Sequence, residues 1–244
     1  MNKFFIKLKN LTLEILFPPV CLSCGKYLEQ LKNNGSGKII CEKCESAVLA
    51  NNSLFCARCR ARLPENKKIC HPDCHYILGA AGNYDNEVIK NLIYRLKYKN
   101  IKAAAGILSE IMAKYLKEIS SLGNFNVREF ILVPIPLHKK RERERGFNQS
   151  ALLAENLGRV FDIPVCAVLK RTKNNKPQAK ITEYEKRFVN ISGCFEVGPP
   201  DIIIGKNILL IDDVFTSGAT MDEAAKVLKK AGAKKILALV AAKA

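Results

Sequence analysis

Eight cysteines fall between positions 21 and 74, and only Cys166 and Cys194 lie outside that stretch. A short segment that is polar, weakly periodic and dense in thiols cannot bury enough apolar surface to fold unaided, so something must cross-link it. The candidates are disulfides and metal. The amino-terminal run MNKFFIKLKNLTLEILFPPV is interrupted by Lys3, Lys7, Lys9 and Glu14. It lacks the unbroken apolar stretch and small-residue cleavage site of a secretory signal. The reading is therefore cytoplasmic, where thiols stay reduced and clustered cysteines act as metal ligands.

Spacing sharpens this. Cys21-x2-Cys24 is followed after sixteen residues by Cys41-x2-Cys44. Two thiolates two residues apart turn inward from a tight knuckle, Gly25 follows the first pair as such a turn wants, and two knuckles complete a closed tetrahedron. Cys56-x2-Cys59 is followed after ten residues by Cys70-x3-Cys74, a second set whose last pair is irregular and for which His71 and His75 are alternative ligands. All four positions of each set are filled, so the expectation is two structural Zn2+ ions with no open coordination position for catalysis. The predicted organisation is an amphipathic helix over 1–20, a double zinc ribbon over 21–75 and an α/β domain over 76–244. In the first of these, Phe4, Leu8, Leu11 and Ile15 recur at helical spacing before Pro18-Pro19.

Hydrophobic residues make up 48% of the chain, enough for a sizeable core, and no apolar run reaches the ~18 residues that span a bilayer, so stable membrane insertion is not expected. Lys and Arg number 40 against 23 Asp and Glu, a net charge of +17, which implies polyanionic company such as nucleic acid or phosphorylated metabolites. From Tyr76 onward short apolar runs alternate with helical periodicity. ILGAAGNY is a short apolar run, and FILVPIP, PVCAVLKR, ISGCFEV, NILLIDDV and KKILALVAAK read as strands. EVIKNLIYRLKY, the segment from Ala103 to Ile119, ALLAENLGRVF, EYEKRFVN and MDEAAKVLKKAG read as helices. That alternation predicts a mostly parallel sheet with helices on both faces.

NILLIDDVFTSGAT carries the most chemistry. Two carboxylates, Asp212 and Asp213, follow a buried strand, and a loop of small residues, Thr216-Ser217-Gly218-Ala219-Thr220, opens the next helix. Amides at a helix N-terminus with hydroxyls beside them cradle phosphate, and small side chains allow it close. Carboxylates repel phosphate but suit the vicinal hydroxyls of a ribose, so a sugar 5′-phosphate fits both halves. As read, the acids have no cationic partner. The basic stretch LHKKRERERGFNQ is read as a second loop at the same edge of the sheet, with Lys97 and Lys99 adding charge nearby.

These residues resemble a known family. NILLIDDVFTSGAT resembles the phosphoribosyl-pyrophosphate (PRPP) motif of type I phosphoribosyltransferases, and VPIPLHKKRERERGFNQ and LKRTKNNKPQ resemble companion motifs of the ComF family, which carries a double zinc ribbon in front. The resemblance implies the type I phosphoribosyltransferase fold and a glycosyltransferase-class enzyme, its acceptor unknown, that takes PRPP with Mg2+. Asp212 and Asp213 would hold the ribose hydroxyls and Thr216, Ser217, Gly218, Ala219 and Thr220 the 5′-phosphate. Lys139, Lys140, Arg141, Arg145 and Gly146 would form the pyrophosphate loop, and Arg171, Lys173 and Lys176 the hood loop. Thr216 stands where purine-salvage relatives have an aspartate, which argues against hypoxanthine or guanine as acceptor. The family also implies a part in DNA uptake during natural transformation, with single-stranded DNA and other competence proteins as partners. The alternative is a non-catalytic PRPP sensor or single-stranded-DNA-binding component of the same machinery.

Overall fold

A computed structural model of the chain describes residues 18–28, 39–64, 70–71, 73–122, 125–175 and 183–244. The helix expected over 1–20 therefore lies, but for its last three residues, outside the described residues. The first helix among the described residues, α1 (Glu42–Ser46), starts at the second cysteine knuckle. Strand β1 (Leu54–Cys56) leads into β2 (Ile77–Asn83), then α2 (Glu87–Tyr98), α3 (Ala103–Ser121) and β3 (Phe130–Pro134). Helices α4 (Lys139–Arg145) and α5 (Gln149–Phe161), strand β4 (Leu169–Arg171), α6 (Tyr184–Ile191) and β5 (Phe195–Val197) follow. The chain ends in β6 (Asn207–Phe215), α7 (Ala219–Lys230) and β7 (Lys235–Lys243).

The main sheet has the order β1-β2-β7-β6-β3. Strands β2, β7, β6 and β3 are mutually parallel, and β1 joins the edge antiparallel to β2. Central parallel strands must be apolar on both faces; accordingly Ile208–Ile211 of β6 and Ala238–Ala242 of β7 are fully buried. One face is covered by α2, α3 and α5 through Leu92, Leu96, Leu108, Leu116, Leu153 and Leu157. The other is covered by α7 and the β4–β5 hairpin through Ala224, Leu228, Leu169 and Phe195. Strand β1 lies within 21–75 yet hydrogen-bonds to β2, so the sheet continues across residue 75 into the cysteine-rich region.

Two segments differ from their sequence-based expectation. The basic stretch forms a helix, α4, capped by the His138 ring, which accepts from Lys140 N at 3.2 Å, and ended by Gly146 at φ 78°. Lys, Arg and Glu are good helix formers, and Lys140 and Glu144 stand i,i+4. PVCAVLKR gives only a short strand: Pro164–Cys166 flanks β3 through Leu132 N→Pro164 O and Cys166 N→Leu132 O, and the chain then leaves the sheet for the separate β4–β5 hairpin.

Candidate ligand site and metal clusters

Asp212 and Asp213 lie near the carboxyl end of β6, between the start of α5 and the end of α2. Asn148 caps α5, accepting from Ser150 N at 3.1 Å while its amide donates to Ile135 O at 3.0 Å. That geometry aims Ser150 at the acids, and its hydroxyl donates to Asp212 Oδ1 at 2.8 Å. Asp213 is not the unpartnered carboxylate the sequence suggested. Its Oδ2 lies 2.8 Å from Lys97 Nζ, and its side chain is 3% exposed against 22% for the lysine. Lys97 reaches it because α2 packs on the sheet through Leu92, Ile93 and Leu96, which turns position 97 toward the strand ends. Burial pulls the Lys97 ammonium down, but the charges of Asp213 and Asp212 outweigh it and hold it above its ordinary value. Burial, with Asp213 beside it, pushes Asp212 up to about 7, against the pull of Lys97 and the Ser150 hydroxyl.

The loop after β6 turns at Gly218, whose φ of 88° favours glycine. An added Cβ there would also meet the Phe215 ring at 2.9 Å. Thr216 is exposed, Ser217 and Ala219 are buried, and Thr220 is half-buried. Helix α7 begins at Gly218, which has no side chain to cap it; Ala219 N donates to Ser217 Oγ at 3.4 Å, which leaves the amides after it to meet an anion.

Guanidinium groups converge nearby. On α4, Arg141 and Arg145 are half-buried on one face at i,i+4, whereas Lys139, Lys140 and Arg143 are exposed. Arg145 donates to Gln149 and Arg141 to the carbonyl of Asn175. On β4, Arg171 lies 5.7 Å from the Phe195 ring centroid, and its buried Nε and Nη2 have no hydrogen-bond partner among the described residues. Burial lowers the Arg171 guanidinium, while Asp212 acts to raise it. Burial lowers Arg141 too, and the charges of Arg171 and Arg145 add to this, so both lie within electrostatic reach of Arg141. Buried, like-charged, partly unpartnered donors are costly alone and suit a polyanion. Lys173, exposed, donates to Ser192 O at 3.3 Å; Lys176 lies outside the described residues.

Two clusters could hold metal ions. In the first, one donor atom each from Cys21, Cys24, Cys41 and Cys44 lies within 4.8 Å of every other. In the second the set is Cys56, Cys59, Cys70 and His71. Sulfur separations of 3.8 Å for Cys24–Cys41 and 3.7 Å for Cys59–Cys70 match the edge of about 3.8 Å of a tetrahedron with zinc–sulfur bonds of about 2.3 Å. His71 Nδ1 is 3.3 Å from Cys56 Sγ. Cys74, placed in the second set by spacing, is not one of these four; its amide donates to His71 O at 3.1 Å and its thiol lies beside Cys56. Burial raises the Cys21 and Cys56 thiols, but backbone amides, those of Cys24 and Cys59 foremost, prevail and bring both down to about 6. Thiolates and imidazole at these distances are consistent with structural zinc.

Sheet order, acid pair and small-residue loop define a phosphoribosyltransferase-like protein, and residues 148–244 match the family model described as phosphoribosyl transferase domain. Relatives extend the likeness beyond that domain. Competence protein ComFC of Bacillus subtilis is 35% identical over 147 residues, 60% of this chain and 56% of the relative, so the match spans little more than half of that protein. Competence protein F of Haemophilus influenzae is 26% identical over 229 residues, covering 88% of this chain and 93% of the relative. DNA utilization protein YhgH of Escherichia coli K12 is 26% identical over 200 residues, 80% and 86% of the two chains. Competence proteins thus resemble this chain over most of its length, which carries a phosphoribosyltransferase-like domain behind cysteine clusters able to hold metal.

Lys97 and Ser150 are the site residues whose contacts the sequence did not disclose. Lys97 stood out only as one of several lysines. Ser150 had one usable signal, the Asn148 cap that orients it.

Proposed function

We propose that the chain binds PRPP as a phosphoribosyltransferase-like component of DNA uptake in natural transformation. The observation that carries this is the meeting, around one strand end, of an acid pair, the helix N-terminus at Gly218 and the Arg171 guanidinium within electrostatic reach of Asp212 and Arg141. Asp212 accepts from ribose hydroxyls, with Ser150 orienting its carboxylate. Lys97 pairs with Asp213 and holds it beside Asp212. Amides and hydroxyls of 216–220 take the 5′-phosphate, and Arg141, Arg145 and Arg171 take the pyrophosphate. If the bond at C1 breaks, those arginines stabilise the departing charge, so the protein's contribution is positioning and electrostatics. Mg2+ would arrive with the pyrophosphate of the ligand.

Calorimetry with PRPP and Mg2+ tests the reading. Wild type should bind, and Arg171→Ala and Thr220→Val should each weaken binding by about tenfold or more, the worth of one charge-assisted or phosphate hydrogen bond. Wild type that ignores PRPP overturns it.

A second reading, a surface for single-stranded DNA, is favoured by one observation. Tyr94 and Tyr98 are 49% and 60% exposed on α2 with ring centroids 5.3 Å apart, beside Arg95, Lys99 and Lys102. Exposed rings among cations form a stacking platform for bases.

A further inference from the structure

The two cysteine knuckles differ at one position. After Cys21-x2-Cys24 comes Gly25 at φ 73°; after Cys56-x2-Cys59 comes Arg60 at φ 61°. Both close the same turn, Gly25 N donating to Cys21 O at 2.9 Å and Arg60 N to Cys56 O at 2.9 Å. Left-handed backbone favours glycine, and a non-glycine residue held there asks what its side chain does. The Arg60 side chain leaves the knuckle for the ligand loop. Nη2 donates to Thr216 O at 2.5 Å, Nη1 donates to Ala244 O at 3.1 Å, and the guanidinium lies 5.6 Å from the Phe215 ring centroid. Phe215 is the ring against which Gly218 makes its turn. One guanidinium thus holds the first carbonyl of the loop and lies over the ring beneath it.

We propose that Arg60 is a positioning residue coupling the second metal cluster to the phosphate loop. Metal on Cys56, Cys59, Cys70 and His71 sets the knuckle, the knuckle aims Arg60, and Arg60 holds Thr216 so that the amides after it face the ligand. This rests on reading 216–220 as the phosphate loop. The coupling is reciprocal: ligand in the loop must tighten metal on the second cluster by the factor by which metal tightens ligand.

The experiment compares wild type, Arg60→Lys and Arg60→Gly, the last of which relieves the backbone and so keeps the knuckle folded. Hydrogen exchange of the full-length, zinc-loaded chain is followed at the amides of 216–220, with 39–46 at the first cluster as internal reference. Arg60→Gly should exchange about tenfold or more faster in 216–220 with 39–46 unchanged, and Arg60→Lys, which cannot span both carbonyls, should fall between. Ribose 5-phosphate should bind Arg60→Gly about tenfold more weakly. It should slow zinc release to a chelator in wild type and have no effect on release in Arg60→Gly. Wild-type-like exchange in 216–220 of Arg60→Gly overturns the proposal, as does equal slowing of zinc release in both proteins. Wild type that does not bind ribose 5-phosphate removes the phosphate-loop reading instead, and the exchange arm still decides whether Arg60 orders the loop.

Discussion

Replacing Lys97 by Met removes the ammonium from the buried pair and keeps most of the apolar stem. The carboxylate left behind, Asp213, is 3% exposed and has Asp212 next to it, itself already raised. A unit pair 2.8 Å apart attracts by about 6 kcal/mol at an effective dielectric near 20. Desolvation of both ions offsets part of that, and the 22% exposure of the lysine screens more. The expected net loss is about 3 kcal/mol, the low end for stripping one partner from a buried pair. For a chain of 244 residues this corresponds to a fall in Tm of roughly 6–12 °C. Urea unfolding at pH 7.5, followed by far-ultraviolet circular dichroism, reads the loss directly. Lys97→Met combined with Asp213→Asn leaves neither charge and should recover most of the stability, so the two changes must be strongly non-additive. Lys97→Met within about 1 kcal/mol of wild type, or additive behaviour in the double variant, would refute the ion pair as a buried structural contact.

The metal clusters predict about two zinc equivalents per chain on elemental analysis; Cys74→Ser should keep both, whereas His71→Ala should lose one, and loss of an equivalent in Cys74→Ser would return that thiol to the ligand set. Asp212 titrates near 7 when folded against 3.8 ordinarily, so the folded chain holds its proton more tightly than the unfolded one. Its contribution is therefore fully favourable below about pH 4 and declines as pH rises to about 7; Asp212→Asn should flatten that part of the stability–pH curve, and an unchanged slope would deny the raised carboxyl. Single-stranded DNA binding should fall by orders of magnitude between low and moderate salt. Tyr94→Ala with Tyr98→Ala should weaken it further at fixed salt, and wild-type affinity in that variant would rule out the stacking platform.

Much of the architecture could be read from local signals. The apolar run Ile208–Ile211 announced a strand buried on both faces, and Glu87–Tyr98 announced its helix by periodicity, because burial of one stripe or two faces imprints directly on residue order. Knuckle spacing announced both metal clusters, since a thiolate pair two residues apart meets one ion by local geometry alone. The acid pair and small-residue loop were likewise contiguous, and so visible. What the chain order could not disclose were contacts between segments remote in sequence. Lys97 meets Asp213 across 116 positions because α2 lies over the ends of β6. Arg60 meets Thr216 across 156 because β1 joins the sheet beside β2. Spacing likewise left Cys74, His71 and His75 open as the last ligand of the second cluster. The fold gathers His71 within 4.8 Å of Cys56, Cys59 and Cys70, because which donors come together depends on where the backbone carries each one in space.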